Sequence, residues 1–188
     1  MTAMPAVARM KAEEYLAQYD PARRGEELID GLPVVHEPRL PHEFVRSELQ
    51  RLLTNWAHDG DRRGRVLGPI DVRIGAHDVY GPDILWYRTG RVPERNAPWP
   101  CPVPDLAVEV RSASTWRYDI GAKKAGYERA GLPELWLVDT AADVVLVFRR
   151  STPDAPAFDL ALELTRDDEL TSPLLAGFAL PVDGVFGE

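Results

Sequence analysis

Residues 105–139 constrain the fold more than any other part of the chain. Along residues 105–112, Leu106, Val108 and Val110 alternate with Ala107, Glu109 and Arg111. This is the two-residue period of a strand, and it leaves one face apolar while placing an acid in the middle of the other. Residues 113–118 read as a loop. A helix follows with Asp119 as its expected N-cap, and Gly131 and Pro133 stop it. Leu135-Trp136-Leu137-Val138 is then a buried strand. Strand, helix and strand in this order predict a right-handed parallel crossover, and so a sheet with a helix packed on it.

The flanking sequence adds to that unit on both sides. Met10 to Tyr19 is a short helix candidate, and residues 26–35 read as two short strands around an Asp30-Gly31 turn. Between His42 and His58, Phe44, Val45, Leu49, Leu52, Leu53 and Trp56 recur with a helical period, with Arg46, Glu48, Gln50 and Arg51 mostly on the other face. Residues 65–74 and 81–87 are strand candidates. Pro93, Pro98, Pro100, Pro102 and Pro104 each lack an N–H donor, which makes their segment a loop at a sheet edge. Residues 144–149 and 158–164 form an antiparallel extension joined by a polar turn. The core order is helix, three strands, helix, strand. It predicts an α/β sandwich with a central mixed sheet and antiparallel additions.

A length of 188 residues with 45% hydrophobic content suits one domain, since domains hold roughly 100–200 residues. We expect a core over residues 42–140, an N-terminal helix and hairpin over 10–36, and a C-terminal extension with an acidic tail over 141–188. No stretch approaches the roughly 18 apolar residues of a membrane span, and residues 1–10 lack the order of a signal peptide, so the expectation is a soluble, cytoplasmic protein. Cys101 is the single cysteine, which excludes an internal disulfide and a cysteine-rich zinc site. Any metal must therefore be held mainly by oxygen. The net charge of −8 argues against a broad nucleic-acid surface, but the residues from Thr152 onward contribute −7 of it. Screening over roughly 8 Å lets a local basic patch act independently of that tail.

Asp83 and Glu109 fall on separate strands. Buried carboxylates are costly unless a cation or hydrogen bonds compensate them, so two of them call for a partner. The chain turns back after the Glu109 strand, which brings the first turn of the next helix, and with it Lys123, to the same end of the sheet. Three lysines stand against nineteen arginines, so Lys123 is not a matter of abundance, and Lys124 beside it is the exposed alternative. Two carboxylates and a lysine suit Mg2+, which takes one or two protein carboxylates and keeps its other positions for water and phosphate. Tyr127, one turn beyond Lys123, either lines the same cleft or belongs to the core. Trp99 and Trp136 read as packing residues, and His36, His58 and His77 as surface or edge residues. Arg46, Arg51, Arg62, Arg63, Arg65, Arg111 and Arg117 are the candidate phosphate contacts.

The ordered anchors Pro82-Asp83, Pro104-Asp105-Leu106-Ala107-Val108-Glu109-Val110-Arg111-Ser112, Asp119 to Tyr127 and Gly131-Leu132-Pro133-Glu134-Leu135-Trp136-Leu137-Val138-Asp139 resemble the Uma family of restriction endonucleases, within the PD-(D/E)XK nuclease superfamily. Glu27-Leu28-Ile29-Asp30-Gly31 and His42 extend the resemblance to about residues 10–148. It implies a restriction-endonuclease-like fold and Mg2+-dependent hydrolysis of DNA phosphodiesters, with Mn2+ as a substitute. Asp83 and Glu109 match the metal-binding acids, and Lys123 matches a catalytic lysine displaced onto the helix. The superfamily's usual lysine position holds Arg111, which keeps Arg111 open as the alternative. Glu27 and His42 are secondary candidates by position, and a homodimer is implied because two strands need two sites. Two other readings stay open: a nuclease for RNA or branched DNA, and a module that binds nucleic acid or protein without cleaving.

Overall fold

A parallel strand pair needs a crossover between its members, and the apolar runs on either side of the 116–129 helical segment supply one. The structure, a computed structural model, describes residues 9–18 and 25–187. In chain order these form α1 (Ala12–Ala17), β1 (Glu26–Ile29), β2 (Leu32–Val35), α2 (Leu40–His58), β3 (Arg65–Leu67), β4 (Val72–Arg73), β5 (Val79–Tyr80), β6 (Ile84–Tyr87) and β7 (Leu106–Val110). Next come α3 (Trp116–Tyr118), a π-helical turn (Asp119–Lys123), α4 (Lys124–Arg129), β8 (Glu134–Asp139), β9 (Val144–Arg149), β10 (Leu160–Leu164), β11 (Glu169–Thr171), β12 (Ala179–Pro181) and α5 (Asp183–Phe186).

The central sheet is mixed, in the order β10-β9-β8-β7-β6-β3, with β7 and β8 parallel and its other neighbours antiparallel. Its two faces bury different cores. Ile84, Trp86, Leu106, Val108, Val110, Trp136 and Val138 pack against Val45, Leu49, Leu53 and Trp56 of α2. Ala107, Leu135 and Leu137 pack against Tyr80, Tyr127 and Leu132 on the other side. Strands covered on both faces must be apolar nearly throughout, as β7 and β8 are, and an acid inside one of them needs a specific partner. The architecture is the α/β sandwich with a central mixed sheet that the element order predicts.

A second sheet, β2-β1-β5-β4, lies beside the first. Its hairpin turns at Asp30 (φ 50°) and Gly31 (φ 74°), both left-handed, as a two-residue loop with matching strand twist requires. Pro33 is tolerated because β2 is an edge strand.

The structure revises several boundaries. The strand expected over 65–74 divides at Gly68-Pro69 into β3 of the central sheet and β4 of the second, because Pro69 cannot continue a ladder. The helix expected over Met10 to Tyr19 is α1, and Tyr19 itself lies outside the described residues. Helix α2 begins at Leu40 with Pro41 in its first turn, so His42 sits inside the helix and is buried. Asp119 is no N-cap. The Trp116 N–H already bonds to the Ser112 carbonyl, and those of Tyr118 and Asp119 to the Thr115 carbonyl, so helical turns start before it. The segment read as an acidic tail is structural as well: Leu170, Leu175, Phe178, Leu180, Val182 and Val185 complete the α2 side of the core. Among the described residues no helix is long and apolar enough to cross a membrane.

Candidate active site

The antiparallel register pairs Ile84 with Val108 and Trp86 with Leu106, which sets Asp83 across from Glu109, both on the face of the sheet away from those four apolar side chains. Asp83 Oδ2 accepts a hydrogen bond from the Val110 N–H at 2.8 Å and lies 3.1 Å from His42 Nε2. Glu109 is 1% exposed. Its Oε1 accepts the Tyr127 hydroxyl at 2.5 Å and pairs with Lys123 Nζ at 2.8 Å.

Lys123 is fully buried. Besides Glu109, its ammonium bonds both Glu27 oxygens, at 2.9 and 3.0 Å, and stands 3.4 Å from Asp119 Oδ1. β1 carries Glu27 into this cluster, where the Gly81 N–H donates to Glu27 Oε1 at 2.6 Å and His36 Nε2 makes a short contact with Oε2. Asp119 and Lys123 come together through the π-helical turn. Its wider winding points both residues inward, a role π-turns often take at functional sites.

Charge decides how these groups ionise. Burial alone would strip the Lys123 proton, but Glu109, Glu27 and Asp119 overcome it and hold the amine well above its ordinary range. Burial would likewise raise Glu27, yet the Lys123 ammonium and the His36 bond outweigh it and bring the carboxyl down to about 2. Glu109 goes the other way. Burial, joined by Glu27, Asp119 and Asp83, defeats the help of Lys123 and pushes it up to about 8. Tyr127 is raised by burial and by Glu109, so it stays a donor. Glu27, Asp83, Glu109 and Asp119 thus share one permanent cation, and the crowding of acids is relieved at Glu109, which holds its proton up to about 8.

An open cleft of about 680 Å³ meets this cluster along Glu27, His36, His42, Asp71, Asp83 and Trp99, with Arg46 on the α2 side. Asp83, Glu109, Lys123, Glu27, His42 and Tyr127 therefore converge, whereas Arg111 stands apart from them. Arg111 Nη1 bonds both Asp139 oxygens at 2.7 and 2.8 Å, and its guanidinium lies over Trp116. His36 is no bland edge residue, since it touches Glu27, and Trp99 forms cleft wall and donates to Asp71. Asp71 carried no signal of its own in the sequence, and Asp119 was read only as a helix N-cap, although the four-residue step from Asp119 to Lys123 was there to be seen.

Among the described residues no three His, Cys, Asp or Glu side chains are gathered for a metal ion. The donor set nonetheless suits a hard cation: oxygen ligands, acids that outnumber the cations beside them, and an Asp119 Oδ1 with no hydrogen bond although Lys123 is 3.4 Å away. The Lys123 ammonium is the cation already there.

Comparison with known proteins bears on family and on fold. A family model, Uma2, described as "Putative restriction endonuclease", matches residues 12–183. The crystal structure of a "putative nuclease belonging to DUF820" from Anabaena variabilis superposes with a TM-score of 0.77 at 18% identity, covering 94% of this chain and 97% of that one. At that identity the likeness shows the fold. No match to a curated protein was found. The family match takes in every residue of the buried cluster, and the chain belongs to the Uma2 family of restriction-endonuclease-like proteins.

Proposed function

We propose that this protein is a divalent-metal-dependent endonuclease that hydrolyses DNA phosphodiesters with an activated water. The observation that carries the reading is the facing pair Asp83 and Glu109 on adjacent strands, with the buried Lys123 ammonium beside Glu109. Asp83 and Glu109 would hold Mg2+ or Mn2+. Such an ion lowers the pKa of bound water and neutralises charge on the phosphate being cleaved.

The chain's own groups do the rest. The Val110 N–H and His42 fix the Asp83 carboxylate, and the Tyr127 hydroxyl fixes that of Glu109. Glu27 keeps Lys123 protonated, so that it adds positive charge next to the reacting phosphate without giving up a proton. Arg46 and Trp99 line the approach, as a phosphate contact and an apolar wall. Two copies, one for each strand, acting on cytoplasmic DNA complete the reading.

The test is nicking of supercoiled plasmid with Mg2+ or Mn2+, run beside single-stranded DNA, branched DNA and RNA. We expect metal-dependent nicking that chelator abolishes and that falls at least about 10³-fold in Glu109→Ala. Nicking that survives in Glu109→Ala would overturn the assignment. One observation favours a second reading, a binding module without turnover: Lys123 already bridges Glu27 and Glu109. Plasmid retention without nicking under any divalent metal would support that reading.

A further inference from the structure

Asp119 is 1% exposed and opens the π-helical turn that Lys123 closes four residues later. Its two oxygens are treated differently. Oδ2 lies 3.5 Å from the Thr115 hydroxyl, which is itself 2.6 Å from the Ser112 hydroxyl at the end of β7. Ser112 and Thr115 are buried too, at 4% and 0% exposure. This chain of hydroxyls ties the Asp119 carboxylate to the sheet. Oδ1 is left aimed at Lys123 Nζ, 3.4 Å away, without a hydrogen bond among the described residues. A buried carboxylate oxygen without a hydrogen bond is costly, and the ion pair with Lys123 at 3.4 Å compensates it only at a distance too long for a good bond.

The Lys123 ammonium has three protons to donate, and its present bonds go to Glu27 and to Glu109 Oε1. A divalent cation ligated by Glu109 and an ammonium 2.8 Å from the same carboxylate repel each other in a medium that screens poorly. The displaced ammonium cannot reach water, because Lys123 is 0% exposed. It needs an anionic acceptor within reach of a small rotation. Asp119 Oδ1 is one, and a move of about half an ångström brings it to hydrogen-bond distance. Glu27 stays bonded throughout as the pivot.

We propose that Asp119 is a positioning residue, the seat to which Lys123 transfers from Glu109 when a divalent cation binds. The proposal rests on the reading of Asp83 and Glu109 as metal ligands. In it Lys123 has two stations: on Glu109 it is the cation of the buried cluster, and on Asp119 it would stand beside the metal ion as the fixed positive charge for the phosphate. Asp119 acts through Lys123 and touches neither metal nor substrate.

The experiment is Mn2+ binding by isothermal titration calorimetry on four full-length proteins: wild type, Asp119→Asn, Lys123→Met and the double variant. Through the Lys123 route, Asp119→Asn weakens Mn2+ about tenfold when Lys123 is present and less than about twofold in the Lys123→Met background. An equal penalty in both backgrounds means that Asp119 contributes only its charge, and overturns the proposal. A crystal structure of the wild-type protein with Mn2+ provides a readout independent of how the variants fold. Nζ should be hydrogen-bonded to Asp119 and parted from Glu109. Mn2+ bound with Nζ still on Glu109 defeats the transfer alone, whereas wild-type protein that binds no Mn2+ defeats the metal site and the transfer together.

Discussion

Asp71 lies in the cleft close to Glu27, and its carboxyl is pushed up to about 6, first by burial and then by the Glu27 charge, against a hydrogen bond from Trp99. An acid whose folded pKa exceeds its unfolded value binds its proton more tightly in the native state. Its ionisation therefore weakens the fold as pH rises from about 4 to 6, and that loss stays constant above. Asp71→Asn should leave stability nearly unchanged near pH 4 and raise it at pH 7.5. The full shift would correspond to roughly 3 kcal/mol, and because the side chain is partly open to solvent we expect about 1 kcal/mol. Urea unfolding at the two pH values checks this, and equal gains at both would rule out ionisation as the cause. The same residue marks a limit of sequence reading. Glu109 was legible because strand alternation put an acid between apolar neighbours. Asp71, His36 and Asp119 owe their importance to contacts with β1 and Lys123, and no local period reports those. Arg111 and Lys123 competed for one role, and the competition was open because Arg111 stands two residues after Glu109, where the resemblance places the usual lysine, while Lys123 lies on the following helix. The pairing of Arg111 with Asp139 needed the β7–β8 crossover to be seen in space.

At the scale of elements, the floor of the site depends on how closely α4 approaches the second sheet. Gly126 makes that approach. A Cβ placed there would come within 2.9 Å of Tyr80 ring carbons, and Tyr80 packs edge-on against Tyr127 with ring centroids 5.2 Å apart. Gly126→Ala should therefore cost about 1–3 kcal/mol by overpacking. It should also displace the helix that carries Lys123 and Tyr127, so plasmid nicking falls more than about tenfold at temperatures where the variant is still folded. A thermal melt measured beside the nicking rate separates the two effects, and a rate loss confined to the melting range would assign Gly126 to stability alone. Elements long enough to carry a period were legible: α2, β7, β8, and the β9–β10 pair that the structure joins from Leu160–Arg149 to Leu164–Val145. The two-residue strands β4 and β5 were not, since two residues cannot display alternation, and their sheet is what brings Glu27 to Lys123. The π-turn was also invisible, because its wider winding arises within a helix whose residue spacing looks ordinary.

For the molecule as a whole, the acidic balance bears directly on how nucleic acid would be held under the proposed function. The net charge is −8, and the C-terminal acids that dominate it frame a segment whose apolar residues finish the core. Counting charges described that segment as a tail, while the positions of its leucines and valines make it a wall. Several arginines that were candidate phosphate contacts are engaged within the protein: Arg51 with Glu48, Arg63 with the Trp56 carbonyl and ring, and Arg111 with Asp139. Arg46 is the arginine on the cleft lining, and it also pairs with Glu43. A cleft with so few basic side chains releases few counterions when it binds duplex DNA, even if it comes to contact about three phosphates. With a slope of about −0.9 per contact, affinity should fall by only about 40-fold or less between 50 and 200 mM salt, against roughly 10³–10⁵ for a protein making 6–10 contacts. Fluorescence anisotropy with a labelled duplex and the Glu109→Gln protein measures the slope without cleavage. A slope as steep as that of a broad basic surface would mean that the duplex lies across a face other than this cleft, and Arg46→Ala would then leave the slope unchanged where the cleft reading requires it to drop by about one unit.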